Sequence, residues 1–148
     1  MTLSVLIVDD YPPDIVYTRR ILKRNVPDVQ VYDSSSGEHA LRRLREIAAL
    51  HAGMASPPAL LVLLDVNMPG MDGFDTLDAY EREAAGVLSE VGAPPATFVF
   101  LSSSREAREL RRADGYPQVH GYIQKPLRPK HARDLASRFA RGSLTLPG

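Results

Sequence analysis

The chain has 148 residues, a formal net charge of zero, no cysteine, and 44% hydrophobic against 24% charged residues. This composition is typical of one globular domain, and it excludes disulfides and cysteine-ligated metals. No basic excess marks the chain as a nucleic-acid binder. The first apolar run ends at Asp9 and Asp10, too early for a signal peptide, and no apolar run approaches membrane-spanning length. We therefore expect a soluble cytoplasmic protein that binds neither nucleic acid nor membranes.

Short apolar runs alternate with segments of helical periodicity, which predicts repeated βα units around a parallel sheet. The predicted strands cover residues 3–8, 29–32, 59–64, 97–101 and 121–124. The first helix opens at Pro12 and Pro13, the second follows Ser34–Gly37, and the others cover residues 74–86, 105–114 and 128–139. The pattern predicts one α/β domain with a doubly wound five-stranded sheet over residues 1–141, a tail at 142–148, and no output domain.

Polar residues stand at the carboxyl ends of most of the predicted strands. Asp9 and Asp10 follow the first strand, Asp65 the third, Ser102 the fourth and Lys125 the fifth. A doubly wound sheet binds its ligands beyond these strand ends. Three carboxylates that converge there repel one another, so a cation is expected among them. Mg²⁺ suits this site because it accepts one or two carboxylates together with phosphate oxygens, and Lys125 supplies a second positive charge.

Each of these residues also has a purely structural explanation when it is taken alone. An aspartate after a strand is usually a turn residue or a helix cap, Ser102 can cap the following helix, and Asn67 can occupy a turn. An isolated Lys125 is most often a solvated charge. Their occurrence together, in this order at the ends of parallel strands, favours a functional site.

Four sequence blocks resemble the receiver domain of bacterial two-component response regulators, and the likeness covers about residues 3–140. The blocks are Asp9-Asp10, Leu63–Gly73 with the run D-V-N-M-P-G-M-D-G, Leu101–Ser104, and Gly121–Leu127. The resemblance implies the CheY-like, flavodoxin-like (βα)5 fold, with parallel strands in the order 2-1-3-4-5.

The resemblance also implies a phospho-acceptor and a metal site. Asp65 would accept a phosphoryl group from a phosphohistidine on a sensor histidine kinase. Mg²⁺ would be bound by Asp10, by Asp65 and by the backbone carbonyl of Asn67, while Asp9 would act through water. The chain would be a switch rather than an enzyme, although it would catalyse its own phosphoryl transfer and autodephosphorylation.

Three further residues take roles in switching from the same resemblance. Lys125 would contact the phosphoryl oxygens, and its bond to Pro126 would be a cis peptide bond. Ser102 would move toward the phosphoryl group, and Tyr122 would move inward behind it. Threonine is the commoner residue at the position of Ser102, but serine keeps the hydroxyl.

A narrower likeness is to regulators that partner phytochrome-type kinases, which often lack an output domain. The features that carry it are the loop Ala52–Pro58 and a tail that contains Thr145-Leu146-Pro147. This likeness implies light signalling to a downstream protein that the sequence does not identify. The apolar tail residues Leu144 and Leu146 favour docking, and we expect a homodimer through the last helix and the tail.

Other features leave alternatives open. The arginines of the fourth predicted helix form either a partner surface or a solvated face: Arg105, Arg108, Arg111 and Arg112. The histidines share no metal-ligand spacing, and we expect them to be exposed on different elements: His39, His51, His120 and His131.

Two other functions are alternatives to the phospho-acceptor switch. A haloacid-dehalogenase-type phosphatase also uses an aspartate after a strand, but it needs a second acid two residues later, where this chain has Asn67. A receiver-like scaffold that never takes phosphate is the other alternative. The intact set of acidic, hydroxyl and lysine residues at the strand ends argues against it.

Overall fold

The computed structural model describes residues 3–84, 86, 95–104 and 106–140, and it folds them as alternating strands and helices. Within these ranges, no helix is both long enough and apolar enough to cross a membrane. The elements in chain order are β1 (Leu3–Val8), α1 (Pro12–Asn25), β2 (Gln30–Ser34), α2 (Gly37–Ala52), β3 (Ala59–Leu64), α3 (Gly73–Ala84), β4 (Thr97–Ser102), α4 (Ala107–Ala113), β5 (Val119–Gln124) and α5 (Pro129–Phe139).

The strands form one parallel sheet in the order β2-β1-β3-β4-β5. This order confirms the predicted doubly wound, flavodoxin-like α/β fold. The order reverses at β1, since the chain adds β2 on one side of this strand and β3, β4 and β5 on the other. The carboxyl ends of β1 and β3 therefore flank the crevice in which such folds bind their ligands.

Some element boundaries differ by a few residues from those predicted by apolar periodicity. β2 covers Gln30–Ser34 because its pairing with β1 continues through two polar residues. β5 begins at Val119, which pairs with Phe98. Backbone pairing does not require apolar side chains, so the hydrophobic pattern misses the end of β2. The start of β5 is missed because its register with β4 is irregular between Phe98 and Phe100. The described α4 covers Ala107–Ala113, and Arg105 lies outside the described residues.

Alternate residues of β1 face two hydrophobic cores, one on each side of the sheet. Val5 and Ile7 belong to the core that contains residues of α1 and α5, whereas Leu6 and Val8 belong to the core that contains residues of α2 and α3. Both faces of the strand are covered in this way, which explains why β1 reads as an almost continuous apolar run. The polar residues that follow it are therefore the first that can approach solvent.

Backbone hydrogen bonds continue past the ends of the strands. Val8 pairs with Leu64, and the Asp65 N–H donates to the Val8 carbonyl at 3.0 Å. The Lys125 N–H donates to the Ser102 carbonyl at 2.8 Å. These bonds fix the backbone of Asp65 and Lys125 at the same edge of the sheet. The Lys125–Pro126 peptide bond is cis, as expected.

A close backbone approach at Gly73 holds the start of α3 against the segment after β3. The Gly73 N–H donates to the Val66 carbonyl at 2.9 Å. A Cβ atom at Gly73 would lie 2.5 Å from the Asp65 carbonyl oxygen and 3.0 Å from the Val66 Cα. Only glycine therefore fits here, and it determines how closely α3 approaches Asp65.

The expectation of four exposed histidines on different elements is wrong for His51. This residue is on α2, as is His39, and only 3% of its surface is exposed. His51 follows Ile47 by four residues and Ala48 by three, so it continues the buried stripe of the helix. Burial lowers the pKa of His51, which favours the neutral imidazole.

Candidate functional site

Three carboxylates converge where β1 and β3 end. Asp9, Asp10 and Asp65 each offer an oxygen atom, and these oxygens lie within 4.8 Å of one another. Asp9 and Asp65 are buried, while Asp10 is exposed. A set of carboxylate oxygens of this kind, open to water on the Asp10 side, fits a hard divalent cation such as Mg²⁺.

The Lys125 ammonium lies among the carboxylates of three different elements. Its Nζ atom is 2.7 Å from Asp9 Oδ2, 2.9 Å from Asp14 Oδ2 and 3.4 Å from Asp65 Oδ2. The side chains of Asp9, Asp65 and Lys125 are 5%, 9% and 15% exposed, so water screens these ion pairs poorly. Lys125 thus neutralises part of the negative charge of the buried Asp9 and Asp65.

Asp14 is a site residue that our sequence reasoning missed. It lies in the first turn of α1, and its side chain is 39% exposed. The helix dipole alone explains an acid in the first turn of a helix, so the local sequence does not indicate a contact with Lys125. The available signal was its spacing, because Asp14 follows Asp10 by four residues at the start of a helix that opens at the strand end.

Burial and charge act in opposite directions on Lys125. Burial alone lowers the pKa of its ammonium, but hydrogen bonds to Asp9 and Asp14 and the charges of Asp65 and Asp9 outweigh burial and raise it. Because the pKa is raised in the folded state, the resulting stabilisation is fully present below the unfolded pKa and is lost as pH rises through the folded one. It is therefore complete at neutral pH.

The surroundings of Asp65 disfavour its ionised form. Burial raises the pKa of its carboxyl, as does the Asp9 charge, and the Lys125 charge opposes this only in part. The folded state thus binds the Asp65 proton more tightly than the unfolded chain does, and this contribution to stability is lost as pH rises through the folded pKa. At neutral pH the ionised carboxylate therefore costs stability, which a further cation would relieve.

Short backbone contacts orient the two buried acids. The Asn67 N–H donates to Asp65 Oδ1 at 3.3 Å, and the Tyr11 N–H donates to Asp9 Oδ1 at 3.0 Å. Asn67 therefore lies beside the expected acceptor, and its carbonyl as a metal ligand stays a prediction. Each acid uses one oxygen for the backbone and turns the other toward Lys125.

Ser102 and Tyr122 form a separate network on the β4 side of the site. Ser102 is fully buried, and its Oγ accepts a hydrogen bond from the Ser104 N–H at 3.3 Å. The Tyr122 hydroxyl donates to the Ser104 carbonyl at 2.7 Å, with Glu109 Oε2 at 3.2 Å as a second acceptor. The Tyr122 ring lies 5.8 Å from that of Phe100. This arrangement connects the loop after β4 to both α4 and β5.

The described arginines of α4 have different surroundings. The Arg112 guanidinium stacks 4.2 Å from the centroid of the Phe74 ring. Arg108 is highly exposed and pairs with Glu106 at 2.9 Å, the kind of surface pair that adds little stability. Arg108, Arg111 and Arg112 are all exposed, so a partner surface and a solvated face both remain open alternatives for α4.

The chain matches the family model described as response regulator receiver domain over residues 5–137. It is 26% identical over 148 residues to the nitrate/nitrite response regulator protein NarL of Escherichia coli K12, with 97% of this chain and 57% of that protein covered. It is 31% identical over 146 residues to the positive alginate biosynthesis regulatory protein of Pseudomonas aeruginosa, with 95% of this chain and 47% of that protein covered. The chain thus spans about half the length of the curated relatives it matches.

Solved structures give the same fold. A two component response regulator from Cytophaga hutchinsonii has a TM-score of 0.74 at 24% identity, with 92% of this chain and 95% of that chain covered. The Vibrio cholerae chemotaxis protein CheY4 has a TM-score of 0.68 at 18% identity, with coverages of 93% and 98%. At these identities the structural likeness supports the fold alone.

The carboxylate cluster predicts separate effects of Asp10→Ala on metal binding and on stability. Mg²⁺ affinity should fall by at least about tenfold, because an oxygen ligand is lost. The melting temperature in EDTA should not fall, because one of the mutually repelling acids is removed. Titration calorimetry and thermal unfolding in EDTA measure the two effects.

Asp28→Asn is the matched control for Asp10→Ala. It removes the same charge from an exposed residue at the opposite edge of the sheet, where a φ of 59° is well tolerated by asparagine. Asp28→Asn should change neither the Mg²⁺ affinity nor the melting temperature in EDTA. A clearly lower melting temperature for Asp10→Ala in EDTA would make Asp10 a structural residue, and unchanged Mg²⁺ affinity would remove it from the metal site.

Proposed function

The chain belongs to the response regulator receiver domain family, and from that premise we propose that it accepts a phosphoryl group on Asp65 from a sensor histidine kinase of a two-component system. The observation that carries this proposal is the Lys125 ammonium, held between Asp9 and Asp65 at the strand ends. It supplies positive charge next to a carboxylate whose ionised form is otherwise disfavoured. The site therefore suits a carboxylate nucleophile and an anionic group.

The proposed reaction is phosphoryl transfer to a carboxylate oxygen. An Asp65 Oδ atom attacks the phosphorus of a phosphohistidine, a new P–O bond forms, and the P–N bond breaks with its electron pair going to the imidazole nitrogen. Lys125 donates to the phosphoryl oxygens and neutralises part of their charge. Positioning and charge neutralisation of this kind carry most of the catalysis in phosphoryl transfer. The chain is a switch that catalyses its own modification and dephosphorylation, not an enzyme with a separate substrate.

The residues present suit Mg²⁺ as the cofactor of this reaction. Asp10 and Asp65 would hold it directly, with the Asn67 carbonyl as a further ligand and Asp9 acting through water. When bound, Mg²⁺ would supply positive charge that neutralises the acids and the phosphoryl oxygens. The geometry that supports this assignment is the convergence of the acidic oxygens.

Switching is proposed to pass through Ser102 and Tyr122. The Ser102 hydroxyl would leave the Ser104 N–H and donate to a phosphoryl oxygen, and Tyr122 would occupy the space behind it. The support for this step is that both side chains hydrogen-bond to the backbone of Ser104, so the loop after β4 cannot move without affecting them. The new state can prevail only if a partner or the phosphoryl group binds it more tightly.

We propose that the chain acts in the cytoplasm. It would receive its phosphoryl group from a phytochrome-type kinase and then control a downstream protein partner. The loop 53–58 between α2 and β3 and the T-L-P run of the tail support the kinase class, although the tail lies outside the described residues. The assignment of residues 1–141 to the receiver and 142–148 to a tail stays a prediction.

We also propose a homodimer through α5 and the tail. The tail residues Leu144 and Leu146 would each gain roughly 1.5–3 kcal/mol if fully buried. Within the described part of α5, Ala132, Leu135 and Ala136 pack into the domain's own core, so the opposite face of the helix is available to a second subunit.

Acetyl phosphate with Mg²⁺ should add one acid-stable, base-labile phosphoryl group, because an acyl phosphate has this reactivity. Asp65→Asn should abolish the addition, and Asp28→Asn should leave it unchanged. Mass spectrometry of the intact protein and of its peptides measures both. A label that persists at the wild-type level in Asp65→Asn would disprove the acceptor assignment.

Transfer of the phosphoryl group from a phosphorylated kinase to this chain tests which class of kinase is its partner. A phytochrome-type histidine kinase should transfer its phosphoryl group to this chain faster than a kinase of another sensor class at equal concentration. Equal rates, or faster transfer from the other kinase, would argue against phytochrome-type light signalling without affecting the role of Asp65.

Sedimentation should detect the dimer, and truncation after Arg141 should weaken it, because the two tail leucines are then lost. The full chain and the truncated chain are compared at several concentrations, with and without a phosphoryl analogue. Monomeric behaviour of both chains under all conditions would contradict the proposal.

A further inference from the structure

Asp14 connects helix α1 to the phosphoryl site, and the roles proposed above leave it unused. Its Oδ2 atom lies 2.9 Å from Lys125 Nζ, which makes this contact shorter than the 3.4 Å contact between Lys125 and Asp65. Asp14 is not part of the carboxylate group that converges for a metal, which consists of Asp9, Asp10 and Asp65. Its partner at the site is the lysine.

The Lys125 ammonium already has three anionic partners in this arrangement. An ammonium group has three N–H donors, and the carboxylates of Asp9, Asp14 and Asp65 all lie within ion-pair distance of Nζ. A phosphoryl group on Asp65 brings additional anionic oxygens that need donors. Phosphorylation also removes the charge of the Asp65 carboxylate, so Asp9 and Asp14 are the carboxylates that then compete with the phosphoryl oxygens for Lys125.

Asp14 is the partner that Lys125 can leave at the lowest cost. The Asp9 side chain is 5% exposed, so it would lose its counter-charge in a poorly hydrated position. The Asp14 side chain is 39% exposed, so water can solvate its carboxylate after the ion pair breaks. Asp14 and the phosphoryl oxygens therefore compete for the Lys125 ammonium.

We propose that Asp14 is a positioning residue that competes with the phosphoryl group for Lys125, and that it thereby lowers the affinity of the site for a phosphoryl ligand. This inference rests on the proposed function of Asp65. In the unphosphorylated state Asp14 holds the ammonium toward α1, and in the phosphorylated state Lys125 exchanges Asp14 for a phosphoryl oxygen. The balance between the two contacts sets how fully the switched state is populated.

Replacing Asp14 with asparagine should strengthen the binding of a phosphoryl analogue. A neutral amide oxygen holds an ammonium less tightly than a carboxylate does, so Lys125 becomes freer to move. For a partly exposed ion pair the gain should be about fivefold in affinity. A residue that only supports the start of α1 would have the opposite effect, because damage to the site weakens binding.

The test is a titration with beryllofluoride at saturating Mg²⁺, followed by fluorine NMR. Wild type, Asp14→Asn and the matched control Asp28→Asn are compared. We expect Asp14→Asn to bind about fivefold more tightly than wild type, and Asp28→Asn to bind as wild type does. Equal or weaker binding by Asp14→Asn, with normal binding by wild type, would overturn the role of Asp14 alone. Failure of wild type to bind would overturn the proposed function as well.

A crystal structure of wild type with Mg²⁺ and beryllofluoride tests the exchange of partners directly. Lys125 Nζ should donate to a fluorine atom and should lie beyond hydrogen-bonding distance of Asp14. A structure in which Lys125 keeps Asp14 and also reaches the analogue would show that the two do not compete, which would overturn the inference whatever the affinities are.

Discussion

The ion cluster around Lys125 is the interaction on which the site depends. Two nearly buried carboxylates, Asp9 and Asp65, face each other at the end of a sheet whose strands are covered on both sides. Without a cation, folding would bury like charges at a cost of several kcal/mol. Lys125 offsets that cost from the opposite half of the sheet, and Asp14 holds the same ammonium from α1. The ion cluster therefore forms before any ligand binds, and the contact between Lys125 and the partly exposed Asp14 can still be exchanged.

The topology explains why one lysine can serve three acids. Parallel pairing brings the ends of β1 and β3 side by side, and backbone hydrogen bonds carry this register one residue further, to Asp65 and to Lys125. Helix α1 begins soon after the β1 acids and brings Asp14 within 2.9 Å of Lys125 Nζ. Gly73 allows α3 to approach the Asp65 backbone. The geometry of the site therefore follows from strand order and from close packing.

Much of the fold and all of the charge network except Asp14 could be predicted from the sequence. Strands buried on both faces have a strong apolar signal, and residues that directly follow such strands must lie at one edge of the sheet. The end of β2 is hard to predict because pairing continues through Asp33 and Ser34, and the start of β5 because its register with β4 is irregular between Phe98 and Phe100. Asp14 and His51 were missed for a related reason. Each has an ordinary role suggested by its local sequence, and only tertiary packing brings Asp14 to Lys125 and buries His51.

Thermal unfolding of wild type and Lys125→Ala at neutral pH, in EDTA and in Mg²⁺, tests this account most directly. In EDTA the variant should melt lower by about 5–10 °C, because partly buried acids lose their counter-charge. Mg²⁺ should raise its melting temperature more than that of wild type, because the metal then supplies the missing positive charge. Equal melting temperatures in EDTA and equal increases with Mg²⁺ would contradict the claim that Lys125 neutralises the acids at the carboxyl ends of β1 and β3.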